Sequence, residues 1–114
     1  MPALIVHGGC GAVSADEERL HQDACERAAE AGWEVLSRGG SALDAVEASV
    51  RRLEDEPTLN AGTGSYLQAD GVARMDASIM TGDGRAGAIA QVPNLKNPVR
   101  LARYILKLCF VEFV

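Results

Sequence analysis

Aromatic side chains are scarce in this 114-residue sequence, which contains one Trp, two Tyr and two Phe. Because 47% of the residues are nonetheless hydrophobic, the core has to be built mainly from Ala, Val, Leu and Ile. Such small and aliphatic side chains favour close packing between helices and a sheet. The length allows at most one small domain, and its apolar fraction is large enough for a packed core.

Positive charge is also in short supply, since 11 Lys and Arg residues stand against 16 Asp and Glu and the net charge is −5. No basic run is long enough to follow a phosphate backbone, so nucleic-acid binding is disfavoured. No segment reaches the roughly 20 apolar residues that span a bilayer, and the start of the chain lacks the basic region of a signal peptide. We therefore expect neither a nucleic-acid nor a membrane partner.

Cysteine is limited to Cys10, Cys25 and Cys109, an odd and widely spaced set. Such a set does not form a disulfide framework. Since disulfides are rare in reducing compartments, the cysteine pattern predicts a cytoplasmic protein.

The order of the predicted elements indicates an α+β fold. The strands are grouped between helices instead of alternating with them, which favours a layered sandwich over a doubly wound sheet. Small residues along the first helix suit close packing against a sheet, and Asn97 is predicted to cap the third helix, with Leu101, Ile105 and Leu108 buried. The predicted bounds are a strand at 3–6, helices at 17–38 and 41–56, and a helix at 97–108. Between 64 and 92 the sequence predicts three consecutive strands or two long ones, including 72–80 and 86–92, with hairpin turn signals at Ala69-Asp70-Gly71 and Gly82-Asp83-Gly84.

A glycine-rich segment, Asn60-Ala-Gly-Thr-Gly-Ser65, follows the second predicted helix and surrounds a single amide with turn-forming residues. Glycines this close together are typical of a chain that turns sharply or lets another group approach it. Asn60 can donate and accept hydrogen bonds without changing charge, so it is the strongest candidate for orienting a hydroxyl group or an oxyanion. A turn amide bonded to its own backbone is the alternative.

Two residue pairs allow a nucleophile elsewhere in the chain. Cys10 and His7 could form a thiol–imidazole pair, although a small buried filler explains Cys10 better. Thr63 follows a glycine and would become a nucleophile if cleavage freed its amine, but a turn residue is the simpler interpretation.

Two further patterns indicate other chemistry. The segment 9–14 resembles a dinucleotide-binding fingerprint in which Ser14 replaces the third glycine, so a small phosphate-binding module is one hypothesis. Asp76 and Asp83 could act as catalytic acids, but a strand end and a turn explain these two carboxylates equally well.

Several motifs together resemble the plant-type L-asparaginase/isoaspartyl peptidase family of N-terminal nucleophile hydrolases. They are His7-Gly-Gly-Cys-Gly-Ala-Val13, the Asn60 segment, Met75-Asp-Ala-Ser-Ile-Met80, Ala86-Gly-Ala-Ile-Ala90 and Val92-Pro-Asn-Leu-Lys-Asn-Pro-Val99. The resemblance implies a four-layer αββα sandwich and a precursor that cuts itself. The cut exposes a Thr, which attacks the side-chain amide of asparagine or a β-aspartyl peptide bond.

The resemblance further implies that the chain corresponds to the α-subunit and lacks the nucleophile, so we predict that it is inactive by itself. Asn60 would support the missing Thr, and the loop with Gly8 and Gly9 would help to position it. No cofactor is implied except a structural sodium ion, held by backbone carbonyls of Leu53, Glu54, Glu56, Leu59, Ala61 and Thr63. A solvated helix end is the other explanation of the acidic residues Glu54, Asp55 and Glu56.

The partners implied by the resemblance are a β-subunit, a second αβ unit, and L-asparagine or β-aspartyl dipeptides as substrates. Residues 1–108 would form the α-subunit-like part, whereas the strongly apolar residues 109–114 depart from the family and are predicted to be a divergent tail. A non-catalytic partner or pseudo-enzyme subunit is the alternative function.

Overall fold

The computed structural model describes residues 1–109. These residues form three α-helices, two strands and a short 3₁₀ turn, a mixture that confirms the predicted α+β class. The elements are α1 (Ala15–Ser37), α2 (Ala42–Glu54), the 3₁₀ turn (Gly62–Gly64), β1 (Met75–Met80), β2 (Ala86–Val92) and α3 (Pro98–Cys109). The two strands pair in antiparallel fashion, α3 packs on them, and α2 lies against α3.

The core lies between α3 and the hairpin. Val99, Ala102 and Leu106 of α3 are buried against Ile79 of β1. The spacing of these three helical residues places them on one face. Leu108 falls outside that face and is 50% exposed, so its predicted burial is wrong.

Helix α1 packs mainly against α2 and not against the sheet, which corrects the prediction made from its small residues. Ala24, Ala28 and Gly32 are its buried residues. A Cβ atom added to Gly32 would overlap the Ser49 hydroxyl oxygen and lie 3.0 Å from the Ala45 carbonyl oxygen. The small side chains thus permit close contact between two helices, and the sheet is covered by α3.

The strand predicted at 3–6 is absent, and Ile5 is 95% exposed. In the described part of the chain, β1 and β2 pair only with each other, so this segment has no neighbouring strand to satisfy its N–H and C=O groups. The Leu4 side chain instead rests near Gly32 of α1.

The predicted hairpin is confirmed, although β1 begins at Met75, three residues later than expected. The turn between the strands is closed by a bond of 2.9 Å from Thr81 N to the carbonyl oxygen of Arg85. Near its other end the ladder contains a β-bulge, where Gln91 has a φ of 58° and its N–H donates to Asp76 Oδ1 at 2.7 Å. The signal at Ala69–Gly71 does form a turn, but no strand precedes it.

Helix α3 ends at Cys109, so the rest of the predicted tail lies outside the described residues. Within residues 1–109, none of the helices combines the length and the apolar character needed to cross a membrane.

Candidate functional site

The two glycine-rich segments meet at one open cleft of about 530 Å³. The first segment follows the N-terminal stretch, and the second follows the C-terminal end of α2. Helix α1 contributes Glu17 and His21 to the same cleft. The lining residues are His7, Gly8, Gly9, Cys10, Gly11, Ala12, Val13, Glu17, His21, Leu53, Thr58, Leu59, Asn60, Ala61 and Tyr66.

The first loop is shaped by its glycines. Gly9 has a φ of 118°, a conformation that residues with a Cβ rarely adopt, and its N–H donates to His7 Nδ1 at 3.3 Å. A Cβ on Gly8 would lie 2.6 Å from Cys25 Sγ, so the loop rests closely on α1. Gly9, in this left-handed conformation, and Gly8, packed closely on α1, therefore form part of the wall of the cleft.

Asn60 lies across the cleft from this loop with a defined amide orientation. Its Oδ1 accepts the backbone N–H of Tyr66 at 2.9 Å. Because a backbone N–H can only donate, the oxygen must face Tyr66 and the Nδ2 group must face away. Nδ2 has no hydrogen-bond partner within residues 1–109, so two donors remain for another molecule.

The alternative nucleophiles are not supported by this geometry. His7 Nδ1 is occupied by the Gly9 N–H, and Cys10 is an exposed thiol instead of a buried filler. Thr63 lies in the middle of the 3₁₀ turn, where its nitrogen is part of an intact peptide bond and not a free amine.

The dinucleotide fingerprint also lacks its structural context, because no strand precedes the glycine loop. Ser14 instead forms a capping box with Glu17 at the start of α1, and its hydrogen bond is the main reason that the pKa of Glu17 is lowered. Asp76 is used by the bulge, and Asp83 bonds to Thr81 and Arg85 in the hairpin turn. Neither of these aspartates lines the cleft.

The acidic end of α2 is not a solvated helix end. The side chain of Asp55 accepts from Asn97 Nδ2 at 3.0 Å, and Glu56 pairs with Arg27 of α1. Asn97 does precede the first residue of α3, as predicted, and its carbonyl oxygen accepts the Arg100 N–H at 3.1 Å. The Val99 N–H, however, is accepted by the side chain of Glu54 and not by that of Asn97.

Glu54 is only 4% exposed, and its Oε1 accepts the backbone N–H of Val99 in the first turn of α3 at 2.9 Å. Burial raises the pKa of the Glu54 carboxyl, and the bond from Val99 lowers it in part. Its Oε2 has no partner among the described residues. The sequence predicted Glu54 as a carbonyl ligand or as part of a solvated helix end, and neither interpretation includes this buried bond, although the side chain continues the α2 face that carries Glu47 and Val50.

The loop from Leu53 to Thr63 is compatible with a cation held by carbonyl oxygens. A Cβ on Gly62 would overlap the Glu54 carbonyl oxygen, and one on Gly64 would lie 2.5 Å from the carbonyl oxygen of Pro57. Glycine thus lets the loop fold back onto several carbonyl groups. Within residues 1–109, no group of three His, Cys, Asp or Glu side chains is arranged to hold a metal ion, so a cation here would depend on such carbonyls.

Tyr66, Glu17 and His21 also line the cleft, although no sequence motif predicted them as site residues. Tyr66 directly follows the Asn60 segment, so its N–H was within reach of the amide. Glu17 and His21 are four residues apart on α1, a spacing that places both on one helix face and could have indicated a shared environment.

Comparisons with known proteins agree with the motifs at this cleft. A family described as Asparaginase matches residues 1–109. The isoaspartyl peptidase/L-asparaginase of Homo sapiens is 50% identical over 109 residues, which cover 93% of this chain and 35% of the human protein. The plant-type L-asparaginase of Thermococcus kodakarensis is 49% identical over 110 residues, covering 94% of this chain and 35% of that protein. The chain thus spans about a third of the length of these relatives.

Proposed function

Because the chain belongs to the asparaginase family, we propose that it supplies the N-terminal part of a hydrolase that acts on L-asparagine and β-aspartyl peptides. The observation that carries the proposal is that Asn60 and the Gly8–Gly9 backbone line one cleft. These are the two elements that the family resemblance assigns to the support of a nucleophilic Thr. The Thr itself would come from a β-subunit that this chain does not contain.

Asn60 acts in this proposal as a hydrogen-bond donor. With Oδ1 committed to Tyr66, the Nδ2 group is what the amide can offer to a Thr hydroxyl oxygen or to negative charge that develops during acyl transfer. The Thr would attack the side-chain amide carbon of asparagine and expel ammonia, and water would then hydrolyse the resulting ester to aspartate. A neutral donor suits this task because its charge does not change with pH.

The proposal also includes the other features that the family resemblance implies. Self-cleavage would free the Thr, the complete protein would form a four-layer αββα sandwich with a second αβ unit, and a sodium ion would stabilise the Leu53–Thr63 loop. The unpaired cysteines Cys10 and Cys25 support a cytoplasmic location. Large apolar side chains left exposed, such as Ile5, Leu67 and Met80, support a partner chain.

The test is reconstitution. The 114-residue chain is incubated with L-asparagine or with β-Asp-Leu, and ammonia or leucine release is measured. We expect no release from the chain alone. We expect release after co-expression with the segment of the human relative that follows the matched region, because that segment would supply the nucleophile.

Two outcomes of this test would contradict the proposal. Release by the chain alone would show that the nucleophile has been misplaced. A stable complex of the two segments that releases neither product would contradict the hydrolase proposal and favour the non-catalytic partner.

A further inference from the structure

We propose that Glu54 is a positioning residue for Asn60, because its buried side chain fastens the base of the Asn60 loop (residues 55–65) to the first turn of α3. The inference rests on the proposed function in one respect, because that function makes Asn60 a hydrogen-bond donor in the reaction. The contact itself is independent of any reaction.

The first support is the bond between Glu54 and Val99, which joins residues far apart in the sequence. The first N–H groups of an α-helix have no partner inside the helix, so α3 requires an acceptor at this place. Glu54 Oε1 satisfies the Val99 N–H at 2.9 Å, and a carboxylate is also favoured there by the helix dipole. The end of α2 and the start of α3 are thereby held at one point.

The second support is that the loop returns to the residue from which it departs. It leaves α2 directly after Glu54, and two residues beyond Asn60 it passes Gly62. A Cβ on Gly62 would overlap the Glu54 carbonyl oxygen and lie 2.8 Å from the Glu54 Cβ. Both ends of the segment that carries Asn60 therefore rest on Glu54, and the bond from Asn97 to Asp55 reinforces the same joint.

The third support is energetic. Glu54 is almost completely buried while Oε2 remains without a partner in the described part of the chain. A buried carboxylate with an unsatisfied oxygen is a poor way to gain stability, and an apolar side chain of similar volume is often as good or better. A role in fixing the loop accounts for a carboxylate at this position, where an apolar side chain of similar volume would often give the fold as much stability.

The experiment compares three variants of the 114-residue chain by NMR. Glu54→Met keeps the volume but removes the acceptor, and Glu54→Gln keeps an acceptor for Val99. Glu47→Met is the matched control, because Glu47 also links α2 to α3, through Arg103, but does not touch the loop. The readouts are the hydrogen-exchange rate of the Tyr66 amide and the chemical shifts of the Asn60 side-chain amide.

We expect Glu54→Met to speed Tyr66 exchange about tenfold, the effect of losing one well-placed hydrogen bond, and to shift the Asn60 side-chain resonances. Glu54→Gln should stay within about twofold of the unsubstituted chain, since Val99 keeps its acceptor. Glu47→Met should leave both readouts unchanged. Urea unfolding of all three variants separates a local opening from a general loss of stability.

Two results would overturn the inference. One is an unchanged Tyr66 exchange rate in Glu54→Met, and the other is an equal acceleration in Glu47→Met. Because neither readout involves hydrolysis, failure here leaves the proposed function standing. Failure of the reconstitution assay would likewise leave the loop measurement valid.

Discussion

At the residue scale, Asn60 shows how one backbone contact decides what a side chain can do. An asparagine amide offers an acceptor and two donors, and its sequence context does not say which of them is free. The Tyr66 N–H occupies the acceptor at 2.9 Å, so the structure leaves the donors. The sequence allowed two interpretations of Asn60, a supporting amide and a turn amide. The Oδ1 atom fits the turn interpretation, and the Nδ2 group is available for the supporting role.

Replacing Asn60 with Asp tests the Oδ1 acceptor and the Nδ2 donors separately. Asn60→Asp retains Oδ1 for Tyr66 but exchanges the Nδ2 donors for an oxygen and a negative charge. We expect its free energy of unfolding to stay within about 0.5 kcal/mol of the unsubstituted chain, while the reconstituted hydrolase loses about 10²–10³-fold in kcat. Asn94→Asp, in the loop after β2, is the control and should retain full activity. Equal activity of Asn60→Asp would show that the donors are not used.

The pH dependence of stability provides a second test at single residues. The pKa of Asp44 is lowered, mainly by the Ser41 hydroxyl and then by Arg103. A carboxyl whose pKa is lower in the folded state stabilises the fold above its unfolded pKa of about 3.9, and this contribution is lost as the pH falls further. Asp44→Asn should therefore be less stable than the unsubstituted chain at pH 7, and the difference should shrink in urea titrations near pH 3. A difference that stays constant with pH would contradict the assigned cause.

At the element scale, local signals predicted the helices and the hairpin, whereas tertiary partners could not be read. The caps around Ser14 and Ser41 and the turn before Arg85 depend on residues close in sequence. The segment 3–6 has the composition of a strand but no neighbouring strand in the described structure. Its apolar pattern therefore predicted a strand that does not form. The bond from Val99 to the Glu54 side chain could not be predicted, because it joins residues that only the folded chain brings together.

The α1–α2 contact can be tested through Gly32 and Ser49. We expect Gly32→Ala to lower the free energy of unfolding by about 1–3 kcal/mol, because the new methyl group overlaps the Ser49 hydroxyl. Ser49→Ala should be neutral or stabilising by up to about 1 kcal/mol, since the buried hydroxyl has no hydrogen-bond partner in the described chain. The double variant should recover part of the loss. Gly82→Ala, which meets no neighbouring atom within 4 Å, is the control in the same urea titration.

At the scale of the whole molecule, the described part of the chain has one sheet face covered by α3 and an opposite face lined by small and apolar residues. Ser78, Met80, Ala86, Ala88 and Ala90 are exposed there, together with the charged residue Asp76 at one end. The motifs at the cleft could be read from the sequence because they are local and specific to the family. The extent of the uncovered surface could not be predicted from the sequence, because it depends on which other elements pack on the sheet.

This uncovered surface predicts association. We expect the 114-residue chain to exceed the monomer mass in size-exclusion chromatography with light scattering at micromolar concentrations, because large apolar patches are rarely left in water. Met80→Lys should reduce the association, and Gly82→Lys, in the neighbouring turn, should not, because a Cβ atom added at Gly82 meets no neighbouring atom within 4 Å. A chain that stays monomeric at all concentrations would show that this face does not attract a partner.

The bulge opposite Asp76 fixes which way β2 faces. Side chains of a strand alternate between two sides, so one extra residue exchanges the sides for everything that follows. Gly87 and Ile89 point towards α3, and the added position lets Val92 do so as well, with exposed Gln91 turned outward. With Ala90 kept and no bulge, strict alternation would turn the Gln91 side chain inward and Val92 outward, whereas deleting Ala90 would remove the bulge and leave Val92 facing inward. The number of residues in β2 therefore decides which side chains of its last part face the core and which face outward.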